Sequence, residues 1–216
     1  MDIAGSIALL LGGSWASGVN LYLSIAGLGI SHRMGWFVLP ADLEVIAKPI
    51  VIGIALLLFV IEFIADKIPA VDSVWDSIHT FIRPLGGALL GYLATSDLGP
   101  VIQILVAILT GGIALESHLT KATARVAINT SPEPLTNSVA SVTEDVSVGG
   151  ILYLIIAHPV VGIVVVLLLL VASIWFLKKM TGLIKKIFGK LFRRNSVSPP
   201  ETDTPQKQSE EVKEIR

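Results

Sequence analysis

The residues from Glu62 to Pro84, EFIADKIPAVDSVWDSIHTFIRP, carry seven ionisable side chains: Glu62, Asp66, Lys67, Asp72, Asp76, His79 and Arg83. Only 15% of the 216 residues are charged, so this density marks either a wet exterior or the place where the protein works. Asp72, Asp76, His79 and Arg83 follow at i, i+4, i+7 and i+11, one stripe of a helix beginning near Pro69. Val71, Val74, Trp75, Ile78 and Ile82 share a second face. An amphipathic helix with Trp75 at the headgroup level accounts for that pattern without any chemistry. Glu62 and Asp66 resist this account. They share a face at i, i+4, where like charges repel unless a proton or cation lies between them. Glu62 also sits inside an apolar run, where a carboxylate is expensive and faces a cavity or a partner.

A second stripe has the opposite sign. In GGIALESHLTKATARVAIN, opened by Glu116, the residues His118, Lys121 and Arg125 recur at i, i+3 and i+7. The two stripes make a two-signed site. Lys121, Arg125, His118 and Arg83, with Asn20 from the first apolar region, are the candidate groups for an anionic substrate. Glu62, Asp66, Asp72 and Asp76 are the candidate carriers of a coupling proton or cation. The same charges could equally neutralise one another as a structural knot.

Metal chemistry has one opening, a divalent ion on Asp72 and Asp76 with Asp66, serving lipid phosphotransfer. No HExxH, glycine-rich phosphate loop or long Asp-rich motif stands behind it. His32, His79, His118 and His158 are scattered, and no serine occupies a nucleophile elbow. Cysteine is absent, which removes disulfides, thiolate metal sites and thiol nucleophiles. No metal and no cofactor is expected.

The elements that must position these residues are membrane helices. Hydrophobic residues make up 53% of the chain, far from the composition of a soluble domain. Val160 to Leu177 is an 18-residue run without a charge, roughly 27 Å as a helix and close to the hydrocarbon thickness of a bilayer. Four other apolar regions stand out: Ile3 to Ile30, interrupted at Gly12-Gly13; Ile46 to Ala65; the short Leu85 to Ala94; and Val101 to Leu115. Val146 to Ala157 is too short to cross alone and reads as a half-span or re-entrant piece. The expected fold is therefore an all-α transmembrane bundle of five or six spans, residues 1–177. Nothing at the N-terminus, MDIAGSIALL, looks like a basic n-region, so the first apolar run is expected to stay in the mature protein.

An internal repeat is visible. IAKPIVIGIALLLFVIEFIADK resembles IAHPVVGIVVVLLLLVASIWFLKK, and the segments upstream of each also correspond, with an insertion around SPEPLTNSVAS. Three spans between the copies would invert one relative to the other, an arrangement of transporters with broken helices. Ser131-Pro132-Glu133-Pro134 predicts a rigid turn, and Ser141 to Glu144 a capping box, with Glu144 and Asp145 as helix caps. Gly87-x-x-x-Gly91 is a helix-contact motif, within the chain or across a homodimer.

Lys178 to Arg194 holds seven basic residues and no acid, which puts that end in the cytoplasm. MTGLIKKIFGKLFRR within it is an amphipathic helix suited to anionic lipid at the membrane surface; nucleic acid is not a needed partner. Residues 195–216 read as a disordered tail.

The ADK-x-P-x-x-D pattern, the following Arg-Pro and the Lys-x-x-x-Arg segment give the chain a resemblance. Through Asp66, Lys67, Pro69, Asp72, Arg83, Pro84, Lys121 and Arg125 it resembles a family of bacterial polytopic membrane proteins catalogued only as a domain of unknown function. The likeness covers residues 5–175 and implies an integral membrane fold, in the bacterial cytoplasmic membrane, without a substrate. Three functions stay open: a transporter or lipid translocase for an anionic solute or head group, a membrane scaffold acting through its cytoplasmic end, and an intramembrane enzyme.

Overall fold

The computed structural model describes residues 2–129 and 134–195, with side chains as far as Gly182. Among them there is no strand. The described residues form seven α-helices: α1 Ile3–Val19, α2 Leu21–Arg33, α3 Pro49–Ala65, α4 Pro69–Ala94, α5 Pro100–Asn129, α6 Pro134–Ala157 and α7 Pro159–Asn195. The chain divides at Lys178 into two compact units, the second containing the end of α7. The turn expected at Ser131 to Glu133 lies outside the described residues, as does the expected tail from residue 196 on.

The first apolar region is two helices. Gly12 and Gly13 do not interrupt it; they close a π-helical turn, Leu9–Gly13, inside α1. The break comes at Asn20, whose backbone is extended at φ −146° and ψ 98°. Its N–H still bonds to the Ala16 carbonyl at 2.8 Å, and its side-chain oxygen caps α2 by accepting from the Leu23 N–H at 3.0 Å. Glycine contacts reveal the direction of each arm. A Cβ on Gly12 would lie 2.7 Å from Ile155, and one on Gly27 would lie 2.6 Å from Leu152. Both arms thus rest on the same level of α6, while Asn20 between them reaches Asp145 further down that helix. Helices α1 and α2 form a hairpin with Asn20 at its tip.

Helices α4 and α5 form an antiparallel pair. Gly87 and Gly91 face Thr110 and Ala114, close enough that a Cβ on Gly87 would fall 2.5 Å from that of Ala114. The Gly87-x-x-x-Gly91 motif is therefore used within the chain. Pro84 lies inside α4 and does not end it, so the charged stripe and the short apolar region belong to one helix. Likewise Val146 to Ala157 is the second half of a 24-residue helix whose first half is polar. Hydropathy changes midway along both helices, so their polar and apolar halves look like separate elements in the sequence.

Length and apolar composition qualify three helices as membrane spans, Pro100–Ile128, Leu135–Ala157 and Pro159–Gly182. A fourth is added if the 3-10 turn Ala41–Ala47 and α3, bent by 58°, count as one. The outside of the bundle is apolar and its inside charged. Leu57 is 61% exposed and Val74 61%, whereas Arg83 and Glu62 are at 0%. Water would reverse that arrangement; lipid favours it. Several of these helices could span a membrane, as a multi-pass membrane protein requires.

Candidate functional site

The charged stripe of α4 and the basic stripe of α5 face each other across the glycine-lined seam, because antiparallel packing brings the first half of one against the second half of the other. The end of α3 and the first half of α6 close around them. Asp72, Asp76, His79, Arg83, His118, Lys121 and Arg125 are all buried, together with Glu62 and Asp66. The apolar face of α4 points outward, with Val71, Val74 and Ile78 exposed. Trp75 is half-buried and stacks on His79, ring centres 4.7 Å apart.

Arg83 joins four helices. Its Nη2 lies 2.5 Å from Glu62 Oε1, and its Nη1 donates to His118 Nδ1 at 2.9 Å and to the Gly18 carbonyl at 3.2 Å. Asp76 Oδ1 is 3.6 Å from the same nitrogen, an ion pair but not a hydrogen bond. Lys121 Nζ stands among three carboxylates, Asp66 at 3.1 Å, Glu144 at 3.3 Å and Glu62 at 3.4 Å, and donates to the Val19 carbonyl at 3.4 Å. Arg125 grips Glu144 through two nitrogens, at 2.9 and 2.6 Å, a bidentate pair. It also reaches Asp66 Oδ2 at 3.2 Å and Asn137 Oδ1 at 3.2 Å.

The hairpin tip is part of this network. Carbonyls at the end of α1 have no partner further along the helix. Arg83 and Lys121 take those of Gly18 and Val19, and Ser117 also donates to the Trp15 carbonyl one turn earlier, at 2.9 Å. Positive charge at a helix C-terminus also suits its dipole. Asn20 Nδ2 donates to Asp145 Oδ1 at 2.9 Å. Tyr22, just past the tip, has its hydroxyl 3.0 Å from His79 Nε2, and His79 Nδ1 donates to the Trp75 carbonyl at 2.8 Å.

Every candidate residue from the sequence thus lies in or beside one buried network. Glu144 and Asp145 correct the sequence reading: they lie mid-helix and pair with Arg125, Lys121 and Asn20, so they cap nothing. Asn137, Ser141, Glu144 and Val148, at i, i+4, i+7 and i+11, form the stripe that carries Glu144 inward, and Asn137, Ser141 and Val148 on it are fully buried. That stripe was the available signal. The upstream segments that correspond in sequence differ in structure: α1 and α2 break at Asn20, whereas α5 runs unbroken from Pro100 to Asn129. Among the described residues no group of three or more His, Asp or Glu could hold a metal ion.

Lys67, in the turn between α3 and α4, packs its ammonium over the Phe63 ring and donates to the Phe63 carbonyl at 2.8 Å. Burial pulls its pKa down from the usual lysine value.

Beside the network a crevice of about 350 Å³ opens between α1, α5, α6 and α7. Trp15, Val19, Leu169 and Phe176 give it apolar walls, and Lys121 and Glu144 stand at its polar end. Nearby, Glu116 accepts from Ser173 of α7 at 2.5 Å.

Residues 7–179 match the family described as Domain of unknown function (DUF4126). The chain belongs to that family. Neither a curated protein nor a solved structure matches it. For this DUF4126 protein the buried network itself is therefore the guide to chemistry.

Proposed function

We propose that the protein is a transporter or lipid translocase of the bacterial cytoplasmic membrane, handling an anionic head group or small anionic solute. In this reading α3 to α7 make five crossings and the α1–α2 hairpin is re-entrant from the outer side. The basic stretch from Lys178 holds the C-terminus in the cytoplasm. One observation carries the proposal: the non-helical backbone at Asn20 ends against Arg83 and Lys121 inside the bundle. Irregular backbone at membrane depth is tolerated where it lines a protein-enclosed polar site, and transporters use such breaks to hold ions and substrates.

The anion would compete with carboxylates already in place. Glu144 and Asp66 occupy Lys121 and Arg125 as an arriving phosphate or carboxylate would. The crevice favours a lipid among the anions, since its walls suit an acyl chain and its polar end offers Lys121.

Reconstitution into liposomes with fluorescent phosphatidylglycerol tests the lipid arm, and anion-evoked currents with phosphate, sulfate and small carboxylates test the solute arm. Lys121→Ala should abolish whichever activity is found while leaving the protein folded. Activity in neither arm overturns the proposal.

The rival reading is a scaffold acting through its cytoplasmic end, with the charges as a structural knot. Arg125 favours it, because all three guanidinium nitrogens are already bonded. Deleting residues 179–216 separates the two: the scaffold loses its function, the transporter suffers a modest defect.

A further inference from the structure

The network holds more acids than bases. Glu62, Asp66, Asp72 and Asp76 are buried, and Glu144 pairs with Lys121 and Arg125, making five carboxyls. Against them stand three permanent cations, Arg83, Lys121 and Arg125. Two carboxyls are in excess, before half-buried Asp145 is counted. Lys67 does not restore the balance: its charge, felt by Asp145 and Asp66, offsets only that sixth carboxyl. Histidine does not either. Arg83 has only protons to offer, so His118 Nδ1 must accept, and its Nε2–H faces Thr80 Oγ1 at 3.0 Å. His79 is satisfied as a neutral ring between the Trp75 carbonyl and the Tyr22 hydroxyl.

Among the five, Asp76 is the least supported. It is 5% exposed, and neither carboxylate oxygen receives a hydrogen bond. From its own helix Asp72, His79 and Arg83 face it. Helix α3 contributes Glu62 and Asp66, and α5 contributes His118, Lys121 and Arg125. Tyr22 lies beyond His79, and Glu144 and Asp145 close the far side on α6. Lys121 and Arg125 are spoken for by Glu62, Asp66 and Glu144. Its one near cation, Arg83 at 3.6 Å, is already held by Glu62, and an ionised carboxylate buried without a donor beside other carboxylates takes a proton instead.

We propose that the network is a proton-binding site and that Asp76 carries a proton at neutral pH. This deepens the transport reading and rests on it for one point, that the proton is the coupling ion. With Asp76 neutral the network carries one negative charge fewer beside Arg83, which favours an arriving anion at the three cations. Proton and anion would then move together.

Infrared spectroscopy of the full chain in lipid nanodiscs, with Asp76→Asn beside it, tests the proton. At neutral pH the wild type should show the carbonyl stretch of a protonated carboxyl, and D76N should lose one such band. Because Asn copies a neutral Asp in shape, D76N should keep the wild-type melting temperature. Raising the pH should lower that temperature in the wild type more than in D76N. No protonated-carboxyl band, a band unchanged by D76N, or a D76N chain that fails to fold each overturns the proposal. A band without any transport keeps the proton and removes only the translocase.

Discussion

Arg83 and His118, on adjacent helices, meet through Nη1 and Nδ1 at 2.9 Å with both side chains buried. A guanidinium can only donate, so the contact fixes the imidazole tautomer with its proton on Nε2. A second proton on this ring would set two N–H groups against each other.

His118 should therefore hold the single neutral tautomer with its proton on Nε2. Nitrogen NMR of the labelled protein should show an unprotonated Nδ1 on His118. Arg83→Gln, which ends the guanidinium's obligatory donation, should free the ring to take either neutral tautomer.

The Glu62–Arg83 pair is wholly buried, and losing Arg83 leaves Glu62 only Lys121, at 3.4 Å, as a cation. Arg83→Ala should destabilise the protein by about 3–5 kcal/mol, read by unfolding in detergent micelles. Replacing both members with methionine should cost less than Arg83→Ala alone, because the buried acid excess then does not grow. A double variant no more stable than the single would mean that the Gly18 contact dominates.

The sequence made the two stripes legible because helical spacing puts polar residues on one face wherever the helix lies. It made their meeting less legible, since opposite sign does not fix distance; antiparallel packing of α4 on α5 does. The span limits were misread where polar residues are buried. Leu135 to Asp145 looks like a loop by hydropathy, yet Asn137 and Glu144 are there to meet Arg125 and Lys121. Asn20 was visible as a polar residue in an apolar region. Its role at a hairpin tip was not, because Gly12-Gly13 looked the better breaker and instead packs on Ile151, Ile155 and Leu90.

Glycines divide by what surrounds them. At Gly87 a side chain would meet Ala114 Cβ at 2.5 Å and the Thr110 carbonyl at 2.9 Å, and neither can withdraw without moving a helix. Gly87→Val should cost about 1–3 kcal/mol or more and loosen the seam that aligns the stripes. Gly53 lies mid-helix with nothing within 4 Å. Gly53→Ala should leave stability unchanged or raise it by up to about 1 kcal/mol. Thermal unfolding of the two variants side by side checks both signs.

Asn20 performs three tasks at the hairpin tip. It ends α1, caps α2 and holds Asp145. Asn20→Ala removes the cap, about 0.5–2 kcal/mol, and leaves Asp145 with one donor fewer. Asn20→Asp keeps the cap but sets a carboxylate against Asp145, adding to an acid excess that is already buried. If protons neutralise that excess, N20D should approach wild-type stability in acid and fall away as the pH rises. N20A, which adds no charge, should depart from the wild-type pH profile far less than N20D. Stability measured across pH for both distinguishes lost capping from unbalanced charge, and parallel profiles for the two would mean that charge at the tip does not count.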